Sequence, residues 1–155
     1  MKLSTRGRYA VMAMVELAAR ECSLDHCVAG QGQVSLAEIG QAQLLSVAYL
    51  EQLFGPLRRA GLVASARGPG GGYRLARPAR QISISDIIEA VEEPIRATRC
   101  EDGSPGCLAG QRCLTHDLWA ELGDQIRLFL EGLTLADVIC RQVTGRAAPP
   151  RATAG

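Results

Sequence analysis

The sequence predicts a mainly α-helical chain with a small β-hairpin wing: a winged helix-turn-helix followed by a long C-terminal dimerisation helix. Apolar residues recur at three- and four-residue steps in its first part, which is the period of one helix face. Two short strand-like runs then flank Gly68-Pro69-Gly70-Gly71-Gly72, so they can fold as a hairpin. Further on, Leu114, Leu118, Leu122, Ile126, Phe129, Leu130 and Leu133 line one helical stripe.

Ala10, Val11, Met14, Val15, Leu17 and Ala18 mark a first helix over about residues 6–21. A loop with Cys22, His26 and Cys27 follows. Ser35-Leu36-Ala37-Glu38 is a capping box that starts a short second helix ending near Ala42 or Gln43. After Ser46, the register of Tyr49, Leu50, Leu53, Phe54, Leu57 and Ala60 predicts a third helix, with Gly61 as its left-handed stop. Pro56 falls inside that helix without a reason visible in the sequence. Leu62–Ala66 and Tyr73–Ala76 are the two strands of the wing. Ser83, with Asp86 three residues on, caps a helix that must stop before Pro94. A glycine-rich loop over about residues 94–112 leads to the long helix, about 17 residues and 25 Å at 1.5 Å per residue. Thr134-Leu135-Ala136-Asp137 caps a last helix reaching about Gln142, and residues 144–155 read as a mobile tail.

The chain has 155 residues and a net charge of +1, which suits one domain, or a small domain with an appendage, and excludes a large multidomain enzyme. Charge is unevenly placed. Residues 1–80 carry ten Lys and Arg against five Asp and Glu, whereas residues 81–155 carry seven against eleven. A basic N-terminal part suits a polyanion, because phosphate contacts release counterions. No apolar run approaches the roughly 18 residues of a membrane span, and nothing directs secretion, so a cytoplasmic protein without membrane contact is expected. Gly68–Gly72 is followed by neither Lys-Ser/Thr nor a helix, which excludes a phosphate-binding loop. No Ser/His/Asp arrangement is legible, so no enzyme is expected.

Six cysteines in a chain without a signal sequence point to metal chemistry before disulfides. Cys100, Cys107, Cys113 and His116 fall within 17 residues, and Cys113 and His116 stand three apart at a helix start. Three thiolates and an imidazole suit zinc or iron-sulfur iron, and spacing alone does not choose between them. Cys22 and Cys27 read as loop thiols, and Cys140 as a packing residue of the last helix.

Several segments together resemble the iron-sulfur cluster regulators of the IscR type, in the winged-helix family that also includes NsrR and CymR. They are Tyr49-Leu50-Glu51-Gln52-Leu53-Phe54, Leu57-Arg58-Arg59, Gly61-Leu62-Val63, Arg67-Gly68-Pro69-Gly70-Gly71-Gly72-Tyr73, Ala97-Thr98-Arg99-Cys100 and Cys113-Leu114-Thr115-His116-Asp117-Leu118-Trp119. The resemblance runs from Met1 to about Val143. It implies a homodimeric transcription regulator holding a [2Fe-2S] cluster through Cys100, Cys107, Cys113 and His116, and controlling iron-sulfur assembly genes, its own operon included. It also implies a DNA-binding domain over 1–80 and a cluster loop with dimerisation helices over 81–143. The DNA partner is a double-stranded, pseudo-palindromic promoter, and the homodimer pairs through the 114–133 helix.

On this reading the third helix enters the major groove with Ser46, Tyr49, Glu51 and Gln52. Gln suits adenine, while Glu accepts from cytosine N4 and repels phosphate. Arg67 is the candidate for the minor groove, and Arg58, Arg59 and Arg74 for phosphate. In IscR-like proteins the Glu matching Glu51 opposes binding of the cluster-free form to one operator class. The sequence also departs from its relatives. The loop around Cys22 to Gln33 is longer, six residues separate Cys100 from Cys107, and Ala48 stands where IscR regulators have a DNA-contacting Ser. Arg8 replaces the cluster-ligating Asp of NsrR relatives, which argues against a [4Fe-4S] site. The alternatives of another class are a winged helix with structural zinc and an electron carrier, and the second would leave the wing without a purpose.

Overall fold

A computed structural model describes residues 4–22, 32–91 and 112–143. Helices α1 (Thr5–Cys22), α2 (Leu36–Gln43) and α3 (Val47–Arg59) precede strands β1 (Val63–Ala66) and β2 (Gly72–Leu75). A 3-10 turn at Ala79–Gln81 leads to α4 (Ile84–Val91), α5 (His116–Glu131) and α6 (Leu135–Ile139). This is the expected mainly helical chain with its hairpin wing. His26, Cys27, Cys100, Cys107 and the tail over 144–155 lie outside the described residues, as does the loop over 94–112 except Arg112.

One buried cluster holds the elements together. Ala10, Ala13, Met14, Leu17 and Ala18 of α1 are fully buried, at the helical spacing the sequence displays. They meet Leu50, Leu53, Phe54 and Leu57 of α3 and Ile84, Ile87, Ile88 and Val91 of α4, with Leu135 of α6 in the same cluster. Helix α4 packs along α1 and α3, so the acidic half shares its core with the basic half.

Caps and stops follow local chemistry. The Ser35 hydroxyl accepts from the Glu38 N–H at 3.2 Å, and Glu38 accepts from the Ser35 N–H at 2.8 Å, which is the expected capping box. Ser83 with Asp86, and Thr134 with Asp137, make the same reciprocal pairs. Helix α3 ends as predicted: Gly61 takes φ +72°, its N–H bonds the Arg58 carbonyl, and the Leu62 N–H bonds the Leu57 carbonyl. Helix α6 is shorter than expected. It stops at Ile139 because Arg141 adopts φ +55° and lets the Gln142 N–H reach back to the Asp137 carbonyl at 2.8 Å.

The wing is an antiparallel pair in which Val63 faces Leu75 and Ala66 faces Gly72. Its tip is a tight turn closed by Gly71 N–H to Gly68 carbonyl at 2.8 Å, with Pro69 second and Gly70 at φ +76° third, as a type II turn requires. On the outer edge of β2, Val34 exchanges two backbone hydrogen bonds with Tyr73, at 2.9 and 2.8 Å. This third, one-residue strand ties the wing to the segment that caps α2. A similar bridge joins Ser83 to Thr134, so α4 and α6 start side by side.

Glu21, near the end of α1, is buried and accepts the Leu75 N–H at 2.6 Å. Burial pushes its carboxyl above the ordinary value of 4.5, against the opposing pull of that N–H and of Arg74. A carboxyl raised in the folded state stabilises fully below 4.5, and that contribution is lost as pH rises through the folded value. Glu21→Gln keeps an acceptor for Leu75 and removes the ionisation. Urea melts are expected to find the variant more stable than the parent at pH 7, with the difference gone at pH 4. A difference that instead grows on acidification would contradict this.

Candidate nucleic-acid interface and metal centre

Helix α3 has two sharply different faces. Leu50, Leu53, Phe54 and Leu57 are fully buried, which fixes the rotation of the helix and turns Val47, Ala48, Glu51 and Gln52 to solvent. Ser46 caps its N-terminus by accepting from the Tyr49 N–H at 3.2 Å. The turn from α2 is unusually tight. Gly40 is buried there, and a Cβ on it would lie 2.6 Å from the Leu45 carbonyl oxygen, so only glycine lets that turn close. Leu44 takes the left-handed φ of +55° at the end of α2, a conformation for which a leucine gives no sequence signal.

The DNA-contact candidates do not all stand alike. Glu51, Gln52, Arg59, Arg67 and Arg74 are exposed. Ser46 is exposed as well, with its hydroxyl oxygen engaged in the cap. Tyr49 is half-buried, its ring packed edge-on to Tyr9 at 5.9 Å between centroids. Arg58 is exposed and donates to the Ser65 hydroxyl at 3.3 Å, bracing the end of α3 against β1. Arg67 sits on the turn leaving β1, next to the wing tip, and Arg74 lies on β2.

Pro56 now has a physical account. Proline has no N–H to give the Gln52 carbonyl one turn back, and the Arg6 guanidinium donates to that carbonyl at 3.5 Å. The sequence signal was the missing donor itself, although it could not name Arg6, 46 residues away along the chain.

At the other end of the chain, Cys113 and His116 stand at the head of α5. The helix begins at His116 itself, whose N–H bonds the Cys113 carbonyl at 3.1 Å, so Cys113 and Leu114 belong to the turn before it. Both Cys113 and His116 are partly accessible, and the Cys113 sulfur lies 3.5 Å from the Thr115 hydroxyl. Arg112 and Asp117 form an ion pair beside them. Among the described residues no three His, Cys, Asp or Glu side chains gather as a metal site, and the other two candidate donors, Cys100 and Cys107, lie outside those residues. The donor chemistry of Cys113 and His116, soft sulfur and borderline imidazole at an accessible helix head, fits a metal or cluster completed by two further thiolates. Cys140 corrects an expectation: it caps α6 and is exposed rather than packed.

Helix α5 is the least buried of the long elements. Leu118, Trp119, Leu128 and Phe129 are exposed along it, while Leu130 packs on the core and Leu133 is buried.

The Rrf2 family, described as iron-dependent transcriptional regulators, matches residues 3–141. The chain belongs to the Rrf2 family. A relative from Cronobacter sakazakii, the HTH-type transcriptional regulator IscR, is 47% identical over 142 residues, covering 92% of this chain and 82% of its own. The solved structure of CymR, the global cysteine regulator of B. subtilis, superimposes with a TM-score of 0.74 at 37% identity, covering 91% of this chain and 98% of CymR. T. potens IscR gives 0.70 at 38% identity, covering 96% and 93% respectively. This Rrf2 protein is a DNA-binding transcriptional regulator with a winged helix, and its homologues are regulators rather than enzymes. No described helix of it is long and apolar enough to cross a membrane.

Proposed function

We propose that this chain senses iron-sulfur cluster supply, holding a [2Fe-2S] cluster through Cys100, Cys107, Cys113 and His116 and regulating iron-sulfur assembly genes, its own operon among them. The observation that carries this reading is the pairing of Cys113 and His116 at the head of α5, at one end of a segment that starts from α4. Helix α4 packs on α1 and α3, so a change at the loop between α4 and α5 has a rigid route to the DNA-reading helix. When bound, the cluster supplies a ligation state that depends on iron and sulfide availability. Cys113 and His116 would hold it at the head of α5, with Cys100 and Cys107 as the other two donors. Residues 1–80 read DNA, and residues 81–143 carry the cluster loop and pair the subunits.

An anaerobic absorbance spectrum with iron and sulfide analysis tests the proposal. Visible absorbance with equimolar iron and sulfide supports it. A colourless protein with stoichiometric zinc selects a structural metal site instead, since the same donor set suits zinc.

In the homodimer, the exposed side of α5 pairs with its copy and sets two α3 helices about 34 Å apart on a pseudo-palindromic duplex. Phe129→Glu is expected to turn the dimer into a monomer in sedimentation experiments without unfolding it, because Phe129 is 40% exposed in the single chain. A dimer of unchanged affinity would remove α5 from the interface.

On α3, Gln52 reads adenine and Glu51 rejects operators that place phosphate or an acceptor against it, while Arg67 reaches the minor groove and Arg58, Arg59 and Arg74 meet phosphate. Glu51→Ala is expected to broaden the DNA sites bound by the cluster-free protein. Identical site preference in parent and variant, measured by binding selection, would count against that role.

A further inference from the structure

Large apolar side chains are exposed among the described residues on α5 and the turn before it, at Val143 beyond α6, and at Leu44 and Val47, the last two 91% and 42% exposed at the turn into α3. Ala48 is exposed beside them. Helical spacing sets Val47 one turn before Glu51, and Ala48 one turn before Gln52, so an apolar shoulder continues directly into the polar face of the helix. The buried residues Leu50, Leu53, Phe54 and Leu57 lock that rotation, and the Ser46 cap holds the first turn in place.

We propose that Val47 and Ala48 read thymine 5-methyl groups in the major groove. This rests on α3 being the recognition helix and adds to it a contact that neither Glu51 nor Gln52 supplies. Thymine is the base that presents an apolar group in that groove, and short apolar side chains are suited to meet it. Val47 and Ala48 are both short, and Ala48 has no rotamer freedom to lose on contact. Ala48 lies about 6 Å along the helix from Gln52, and base steps are about 3.4 Å, which places the thymine one or two steps from the base Gln52 reads.

Deoxyuridine keeps every hydrogen-bonding group of thymine and lacks only the methyl. The test uses the full-length protein and a duplex selected by it from a random-sequence library, with each thymine replaced singly by deoxyuridine. The parent is expected to bind about fourfold more weakly at one or two positions, the worth of one buried methyl. A variant carrying Val47→Ser and Ala48→Ser, both at exposed positions, is expected to bind the thymine and deoxyuridine duplexes alike. Equal binding of both duplexes by the parent at every position would overturn the proposal, and so would discrimination that survives in the double variant. Gln52→Ala separates the two levels of the reading. If it changes base preference while deoxyuridine has no effect, α3 remains the reader and only the methyl contact falls. If neither Gln52→Ala nor the double variant changes base preference, the recognition helix and the methyl contact fall together.

Discussion

Gly72→Ala is expected to lower the stability of the chain by about 1–3 kcal/mol and to loosen the wing, although Gly72 needs no unusual backbone angle. The reason is space. A Cβ at Gly72 would lie 2.5 Å from the Val34 carbonyl oxygen, 2.7 Å from the Val34 carbonyl carbon and 3.1 Å from the Ser35 nitrogen. All three are backbone atoms, so no side chain can swing away to make room. Relief requires parting β2 from Val34, which puts at risk the two hydrogen bonds between Val34 and Tyr73. Ser35, the next residue, is the cap of α2, so the disturbance reaches the helix-turn-helix as well as the wing. Gly70→Ala is the control. Nothing lies within 4 Å of its Cβ, and its φ of +76° carries a conformational penalty alone, about 1–2 kcal/mol. Urea denaturation of the two variants checks the contrast, and amide exchange at Val34 and Tyr73 locates it. A Gly72→Ala protein as stable as the parent, with both amides still protected, would show that the edge of the wing yields more easily than its geometry implies.

The order of helices and the wing were legible because each is signalled by neighbours in sequence. Ser35 with Glu38, Ser83 with Asp86, and Thr134 with Asp137 each lie within one turn, and Gly61 and Gly70 stand where a left-handed residue is needed. What escaped was either long-range or chemically silent. The bridge from Val34 to Tyr73 is a single residue pair with no periodicity to announce it. Glu21 holding Leu75 and Arg6 holding the Gln52 carbonyl join residues 54 and 46 positions apart. Leu44 and Arg141 adopt left-handed angles that favour glycine or asparagine, so neither residue type announces the end of α2 or of α6. The site was legible in the same uneven way. Cys113 and His116 announce themselves by type and spacing, whereas the apolar shoulder of Val47 and Ala48 becomes visible only once the opposite face of α3 is known to be buried.

Cys107→Ala should leave the chain folded and dimeric while abolishing its visible absorbance and its affinity for one class of operator. Stability is expected to survive because the buried cluster is built from α1, α2, α3, α4 and α6 with both strands of the wing, and includes neither Cys113 nor His116. Dimerisation is expected to survive because α5 exposes Leu128 and Phe129 near its far end, about three turns from His116. On the proposed ligand set, losing one of its three thiolates would withdraw the cofactor without touching the core or the proposed pairing face. The effect on DNA follows from coupling between two sites, about 1–3 kcal/mol in comparable systems, or roughly 5- to 150-fold in affinity. Linkage makes this reciprocal: an operator that the cluster-bound form prefers must in turn strengthen cluster retention by the same factor. At equilibrium the parent protein should thus keep the cluster at lower iron and sulfide supply in the presence of that operator, and the variant should bind it as the cluster-free parent does. A Cys107→Ala protein with undiminished absorbance would remove Cys107 from the ligand set, and one that lost its colour but kept the parent's operator preference would separate the cluster from DNA reading altogether.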